Sequence, residues 1–363
     1  VLAQLVERLL AKQKAAGSRP AYRTIPYLSI LHYSLHMLLR LTIVLFFLSS
    51  CSGGGGGSSS EVVPVSNNPN IQDSGEQCQS FNGSTYDRTY ICELKHKGLD
   101  RYYYIQLGHP EADGQSSILF NLHGYGSNAL AQMQYADFRD LAYTKDNNFI
   151  LIHPQGAPLN TVLATSVSHW NSGGWTIGST VDDVDFIDTI IELVSEKYNI
   201  NQNRIYSTGM SNGGFMSYHL ACNLGSKIAA VASVTGSMSY GTYDNCNPSH
   251  PTAILQIHGA IDGVVPYQGN SALRMKSIDD VIDYWSTYNS CDTDPLISIT
   301  DYFDIGVGLE HRTYSKCINN VQVELYKVDI MGHAWPQNQT FGISASDTIW
   351  EFINTYDING RID

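Results

Sequence analysis

No two cysteines in this chain are spaced C-x-x-C, so cysteine spacing gives no support to a zinc or dithiol redox site. Charge is scarce at 15% of residues, and basic charge scarcer still, with 21 Lys and Arg against 34 Asp and Glu and a formal net charge of −13. Residues 1–50 hold six basic side chains and one acidic, so the remainder is five charges more negative than the whole. An acidic body of this kind repels nucleic acid and anionic membrane surfaces, which leaves a neutral substrate as the better fit. The most apolar run, Leu41 to Leu48, is far short of the roughly 20 residues that a bilayer-spanning helix needs. Neither an internal repeat nor a clean break between two folded domains is present.

What the chain does have begins with a leader pattern. Met37-Leu-Leu-Arg40 and the apolar run after it read as a basic n-region and an h-region. The run ends in Leu48-Ser49-Ser50-Cys51, which resembles the lipobox of bacterial lipoproteins, where the cysteine is lipidated and becomes the first mature residue. An ordinary cleaved signal with a chance cysteine is the alternative. Residues 1–36 precede a good start methionine, and a precursor beginning at Met37 is expected. Ser52 to Ser60 has no capacity to pack and reads as a tether, continued by a polar linker. The expected organisation is therefore a leader over 1–51, a tether and linker over 52–77, and one catalytic domain over 78–363. A lipid anchor at Cys51, followed by Ser52 rather than aspartate, would put the protein on the outer membrane or cell surface, outside the cytoplasm.

The other six cysteines, Cys78, Cys92, Cys222, Cys246, Cys291 and Cys317, suit three disulfides in an oxidising compartment. Fifteen connectivities are open. Local pairing, Cys78–Cys92, Cys222–Cys246 and Cys291–Cys317, is expected because each pair brackets a short excursion; six buried free thiols are the alternative.

From Tyr90 onward the pattern is one of strands alternating with helices. Two alternating β runs around Lys97-Gly98 read as a hairpin. Ser117 to Gly124 is a continuous apolar run of the kind buried on both faces of a sheet. A helix is expected over Ala129 to Lys145, a strand over Phe149 to Pro154, and a helix over Val181 to Tyr198. Further strands are expected at Arg204–Met210, Ile228–Val234, Thr252–Gly259 and Val321–Val328, with helices at Phe215–Leu224, Ser277–Tyr288 and Ala345–Tyr356. This order predicts an α/β fold with a mostly parallel sheet and helices on both faces. No large cap domain is expected.

The chain is organised around Arg204 to Gly214, an apolar run that ends in Gly209-Met-Ser-Asn-Gly and passes straight into a helix-competent stretch. A serine at the apex of a strand-to-helix turn, between glycines that let the backbone pack closely, is the nucleophile elbow of α/β-hydrolases. A serine needs a base, and the base needs an orienting carboxylate. In this fold they follow in the order Ser, Asp or Glu, His, from loops after later strands. Asp262 stands just past the strand ending at Gly259, and His333 just past the last strand, so the expected set is Ser211, Asp262 and His333. His311, in a polar stretch, competes with His333; Asp329 is the reserve acid; His258 reads as a core or supporting group. The oxyanion needs two backbone N–H donors, expected from Asn212 and from Tyr125 in His123-Gly-Tyr-Gly126. Trp170, Trp175, Tyr267 and Trp335 fall on or near loops expected at the active face and are candidate substrate contacts. Asp182 and Asp183 read as charges at a helix N-terminus.

Together, Gly209-Met-Ser-Asn-Gly-Gly214, His123-Gly-Tyr-Gly126, Val181-Asp-Asp-Val-Asp-Phe-Ile187, His258-Gly-Ala-Ile-Asp262 and Gly332-His-Ala-Trp-Pro336 resemble the polyhydroxybutyrate-depolymerase/feruloyl-esterase family of secreted α/β-hydrolases. The resemblance runs from about residue 85 to 356. It implies serine carboxylic-ester hydrolysis without metal or cofactor, with Ser211 as nucleophile, Asp262 as acid and His333 as base. It also implies a polymeric or small-molecule ester partner: polyhydroxyalkanoate, feruloylated or acetylated plant polysaccharide, or a simple ester. A serine peptidase of the same fold and an inert surface-binding lipoprotein are the competing readings.

Overall fold

The structure, a computed structural model, describes residues 75–160, 166–301 and 308–362. The leader, Cys51 and residues 52–74 of the expected tether lie outside the described residues. Among the described residues no helix is long and apolar enough to cross a membrane.

The chain enters on β1 (Gln77–Ser80), which begins at the very end of the expected linker, and continues through β2 (Thr89–His96) and β3 (Leu99–Gln106). Lys97 and Gly98 both take positive φ, 47° and 81°, as the tight turn of a two-residue hairpin requires. Next come β4 (Ser116–Leu122), α1 (Ala129–Tyr135) and β5 (Phe149–Pro154). The single helix expected over 129–145 is broken after Tyr135. There the Asn121 side chain takes the Ala136 carbonyl at 2.8 Å, and Asp137 caps a separate turn by accepting the Arg139 N–H. A short ribbon of β6 (Ala157–Leu159) and β7 (Val167–His169) precedes α2 (Asp183–Lys197), whose first turn is capped by Asp182.

The second half runs through β8 (Ile200–Met210), α3 (Asn212–Asn223), β9 (Ile228–Val234), α4 (Tyr240–Asn245), β10 (Ala253–Gly259) and α5 (Ile278–Tyr288). It closes with β11 (Leu296–Thr300), β12 (Leu309–Tyr314), β13 (Val323–Val328) and α6 (Ala345–Ile353). Strands β11 and β12, and helix α4, are not among the elements expected from the sequence pattern. All of β11 is exposed at a sheet edge, so its side chains carry no core-facing periodicity to read.

Eleven strands form one sheet in the order β1-β2-β3-β5-β4-β8-β9-β10-β13-β12-β11. From β5 to β13 every pairing is parallel, and the strands outside that block pair antiparallel. Because side chains alternate along a strand, Ile118, Phe120 and Leu122 of β4 enter one core cluster while Leu119 enters another. The first cluster is closed by Phe186, Ile187 and Ile190 of α2, Met216 and Leu220 of α3, and Val281 and Trp285 of α5. The second is closed by Ile349, Trp350 and Ile353 of α6. Covering both faces explains the unbroken apolar runs of the central strands. The six cysteines form the local pairs Cys78–Cys92, Cys222–Cys246 and Cys291–Cys317.

Candidate active site

Parallel strands all deliver their carboxyl ends to one edge, and ligand sites of such sheets collect there. β8 ends at Met210 and Ser211 turns the chain into α3 with φ 56° and ψ −121°, a conformation that costs a non-glycine residue roughly 1–3 kcal/mol. The turn is over-determined. Ser211 N–H donates to the Val234 carbonyl of β9 at 2.9 Å, and the Ser211 carbonyl accepts the Phe215 N–H at 3.0 Å. A Cβ on Gly209 would stand 2.6 Å from the Leu122 oxygen, and one on Gly213 would lie 2.6 Å from the Leu122 carbonyl carbon. Glycine is therefore required at both places for β4, β8 and α3 to approach as they do.

Asp262 lies two strands away, in the turn after β10. Its Oδ1 accepts Val264 N–H at 2.8 Å and Val265 N–H at 3.0 Å, and its Oδ2 accepts from His333 Nδ1 at 2.8 Å. The carboxylate is fully buried, while the His333 side chain keeps 18% of its exposure. Burial alone pushes the Asp262 carboxyl upward, but the His333 hydrogen bond and the two backbone donors more than reverse this, so its pKa falls below the ordinary value. An ionised Asp262 fixes the tautomer of His333 with the proton on Nδ1, which leaves Nε2 as the basic nitrogen. The loops bearing the pair are tied together, since Ala260 N–H donates to Val328 O at 2.9 Å and Ile261 N–H to Met331 O at 3.3 Å.

His258 lies beneath this pair. It is buried, sits 3.7 Å from Asp262 Oδ2, donates from Nε2 to the Val265 carbonyl at 2.8 Å and accepts the Gln256 Nε2–H at Nδ1 at 3.0 Å. Desolvation drops its pKa to about 4, so it is neutral at ordinary pH. The competing His311 lies on β12, opposite Tyr326, with Nε2 2.8 Å from Glu324, and Asp329 accepts the Gly308 N–H at 3.1 Å. Both are engaged in the antiparallel edge of the sheet rather than with Asp262 or His333.

The loop after β4 faces the elbow: a Cβ on Gly124 would meet the Ser211 Cβ at 3.5 Å. His123 is buried and, mainly through desolvation, has a pKa lowered to about 4; its Nδ1–H donates to the Gly124 carbonyl and its Nε2 accepts Gly156 N–H at 2.9 Å. Gly126, at φ 74°, donates its N–H to Ser168 O at 2.8 Å and thereby holds the loop open around Tyr125. Among the described residues no acceptor takes the backbone N–H of Tyr125 or of Asn212.

The four aromatic candidates separate. Tyr125 is 42% exposed and meets Trp175 edge to face at 5.8 Å, and Trp175 in turn stacks on Phe215 at 5.3 Å. These rings form one wall beside the elbow. Trp170, Tyr267 and Trp335 do not line a cleft: they are 0%, 6% and 2% exposed. Trp170 Nε1 donates to His123 O, the Tyr267 hydroxyl to Asp279, and Trp335 Nε1 to Ser346, so each indole or phenol is spent on an interior partner. Asp183 is likewise more than a helix-end charge. It is buried against Arg101, with 2.8 Å between Asp183 Oδ1 and Arg101 Nη2, and its other oxygen accepts Asn171 N–H at 2.8 Å. No local pattern in the β2–β3 hairpin marks Arg101 for this role; only a charge inside an otherwise alternating strand could have raised it.

Residues 108–284 match the family model described as phospholipase/carboxylesterase. Among curated proteins, the chain is 24% identical over 248 residues to a bifunctional acetylxylan esterase/xylanase of Neocallimastix patriciarum, covering 68% of this chain and 32% of that protein. It is 30% identical over 186 residues to a probable feruloyl esterase C of Aspergillus flavus, covering 50% of this chain and 62% of that one. The chain thus spans less than two thirds of the length of either relative. Among solved structures, an acetyl xylan esterase from Aspergillus awamori superposes with a TM-score of 0.50 at 13% identity, covering 76% of this chain and 98% of that one, a likeness of fold.

Proposed function

We propose, for a chain that is an α/β-hydrolase of the feruloyl-esterase type, the hydrolysis of carboxylic esters through an acyl-enzyme on Ser211. The observation that carries this reading is the buried Asp262 carboxylate holding His333 Nδ1 at 2.8 Å, at the sheet edge where Ser211 sits in its strained turn. In this reading His333 Nε2 takes the Ser211 hydroxyl proton as Oγ attacks the ester carbonyl. The negative oxygen that forms is met by the N–H groups of Tyr125 and Asn212. Collapse expels the alcohol, which takes the proton from His333. Water, deprotonated by the same nitrogen, then releases the acid and restores the serine.

The relatives' names point to feruloyl and acetyl esters of plant polysaccharide as the substrate class. The wall made by the exposed Tyr125 and the half-buried Trp175 suits a planar aromatic acyl group and supports the feruloyl member of that pair. Polyhydroxyalkanoate oligomers are the other ester class the sequence motifs imply. Three disulfides support a protein that works in an oxidising, extracytoplasmic compartment. Lipidation at Cys51 is the finer part of that reading; Cys51→Ser should move the protein from the membrane to the soluble fraction.

The test is a panel of methyl ferulate, acetylated xylan, hydroxybutyrate oligomers and an aminoacyl p-nitroanilide, run with the wild type and Ser211→Ala. Ester turnover that falls by roughly 10⁶-fold in Ser211→Ala is expected. An unchanged rate in that variant, or faster amide than ester cleavage by the wild type, would overturn the proposal.

A further inference from the structure

The segment from β7 to Ser172 touches both halves of the proposed oxyanion hole. Toward the β4 loop, the Ser168 carbonyl accepts Gly126 N–H at 2.8 Å, Ser168 Oγ donates to Ser127 O, and Trp170 Nε1–H donates to His123 O at 2.9 Å. Toward the elbow, Trp170 N–H donates to Asn212 Oδ1 at 2.8 Å, while Asn212 Nδ2 donates to Trp170 O at 3.1 Å and to Ser172 Oγ at 3.3 Å. The next residue, Asn171, is fastened through its N–H to Asp183, itself locked to Arg101. One buried side chain and its own peptide groups therefore bridge the two loops that carry the Tyr125 and Asn212 N–H groups.

We infer that Trp170 is a positioning residue that fixes the separation of the two oxyanion donors. This rests on the reading of Ser211, Tyr125 and Asn212 given above. Trp170 is fully buried, so it acts on the reaction only through those backbone groups. Donors stabilise a developing oxyanion when they are held in place beforehand, and removing one costs about 10²–10³ in kcat. Loosening a donor without removing it costs less.

The discriminating variant is Trp170→Phe, which keeps an aromatic ring in the core, though a smaller one, and deletes the Nε1–H that holds His123 O. With p-nitrophenyl butyrate, kcat is expected to fall about 10-fold or more while KM stays within about twofold, because the loss is confined to the charged transition state. Affinity for phenylboronic acid, which an active serine converts to a tetrahedral anion, should fall by the same factor as kcat/KM. Should Trp170→Phe fail to fold, Asn212→Ala reads the other side of the bridge, since it removes the side-chain clamp and keeps the residue 212 N–H; the same split is expected. A kcat within twofold of wild type, or a boronate affinity that does not follow kcat/KM, overturns the inference. Ser211→Ala in the same assay separates the two claims: if it keeps the wild-type rate, the enzyme reading itself has failed.

Discussion

Trp170 and Trp175 are five residues apart, yet the first is wholly buried and the second is half-buried, stacked on Phe215 and edge-on to the exposed Tyr125. The elbow over Gly209–Gly214 shows no such ambiguity. There the glycines are dictated by backbone directly across a strand, where Leu122 approaches, and Ser211 is held at φ 56° against its own backbone preference by hydrogen bonds to Val234 and Phe215. In the loop from Val167 to Gly178 the choice of ring is set by distant partners, the His123 carbonyl, the Asn212 amide and the Asp183 carboxylate. A site thus has parts enforced by close backbone contact and parts enforced by chain segments far off in sequence, and the two respond differently to mutation.

The largest expected effect comes from breaking the elbow's own constraint. Gly213→Ala puts a methyl group against the Leu122 carbonyl, and neither element has room to yield, because β4 is buried between the two large core clusters and α3 is buried against the first. A loss of about 4 kcal/mol or more is expected, which for an ordinary domain removes most of the native population. Urea unfolding and soluble yield measure it. A variant of near wild-type stability would show that the elbow is looser than its contacts imply.

The pairing of Asp262 with His333 belongs with the elbow, since both residues stand at strand ends that the apolar runs mark out. Asp262→Asn leaves the shape but supplies the wrong hydrogen-bonding group to His333 Nδ1, and kcat should drop by about 10⁴. The same substitution has a stability signature. The native Asp262 pKa is depressed, so the unfolded chain binds its proton first as pH falls. Its contribution is therefore complete above the ordinary carboxylate range and is lost as pH falls through the lower native value. Asp262→Asn should flatten the acid side of the stability profile, read by denaturant midpoints at pH 7 and at successively lower pH; an unchanged acid slope would remove Asp262 from the account.

How much of this was legible in the sequence follows the same division. The parallel block from β5 to β13, the elbow turn and the placement of Asp262 and His333 after strand ends rest on patterns within a dozen residues or on strand order, and the disulfides on cysteines 14, 24 and 26 residues apart. The broken helix after Tyr135 was not legible, because the Asn121 side chain that ends it lies on β4. Nor were β11, an edge strand whose side chains are all exposed, and β12, whose side chains between Leu309 and Tyr314 are all half-buried, so that neither shows alternation between a core face and a solvent face. The fates of Trp170, Tyr267 and Trp335 were hidden for a further reason. An indole or phenol near a strand end looks the same whether its polar atom meets a substrate or an interior carbonyl, and only the partner decides.

The smallest effect expected tests the exposed side of the comparison. Trp175 packs on Phe215 and meets Tyr125, so truncating it removes one wall while leaving the buried Trp170 bridge in place. An aromatic contact of this kind is worth about 0.5–1.5 kcal/mol beyond its buried area, which is a factor of about 2–12 in affinity. Trp175→Ala should therefore raise KM for methyl ferulate by about that factor and leave KM for p-nitrophenyl acetate within twofold, since an acetyl group is too short to reach across the wall. kcat should hold for both esters if the proposed oxyanion donors, Tyr125 and Asn212, stay in place. If instead kcat falls for both esters alike, Trp175 supports the same donors as Trp170, and the loop has one function where two are assigned to it.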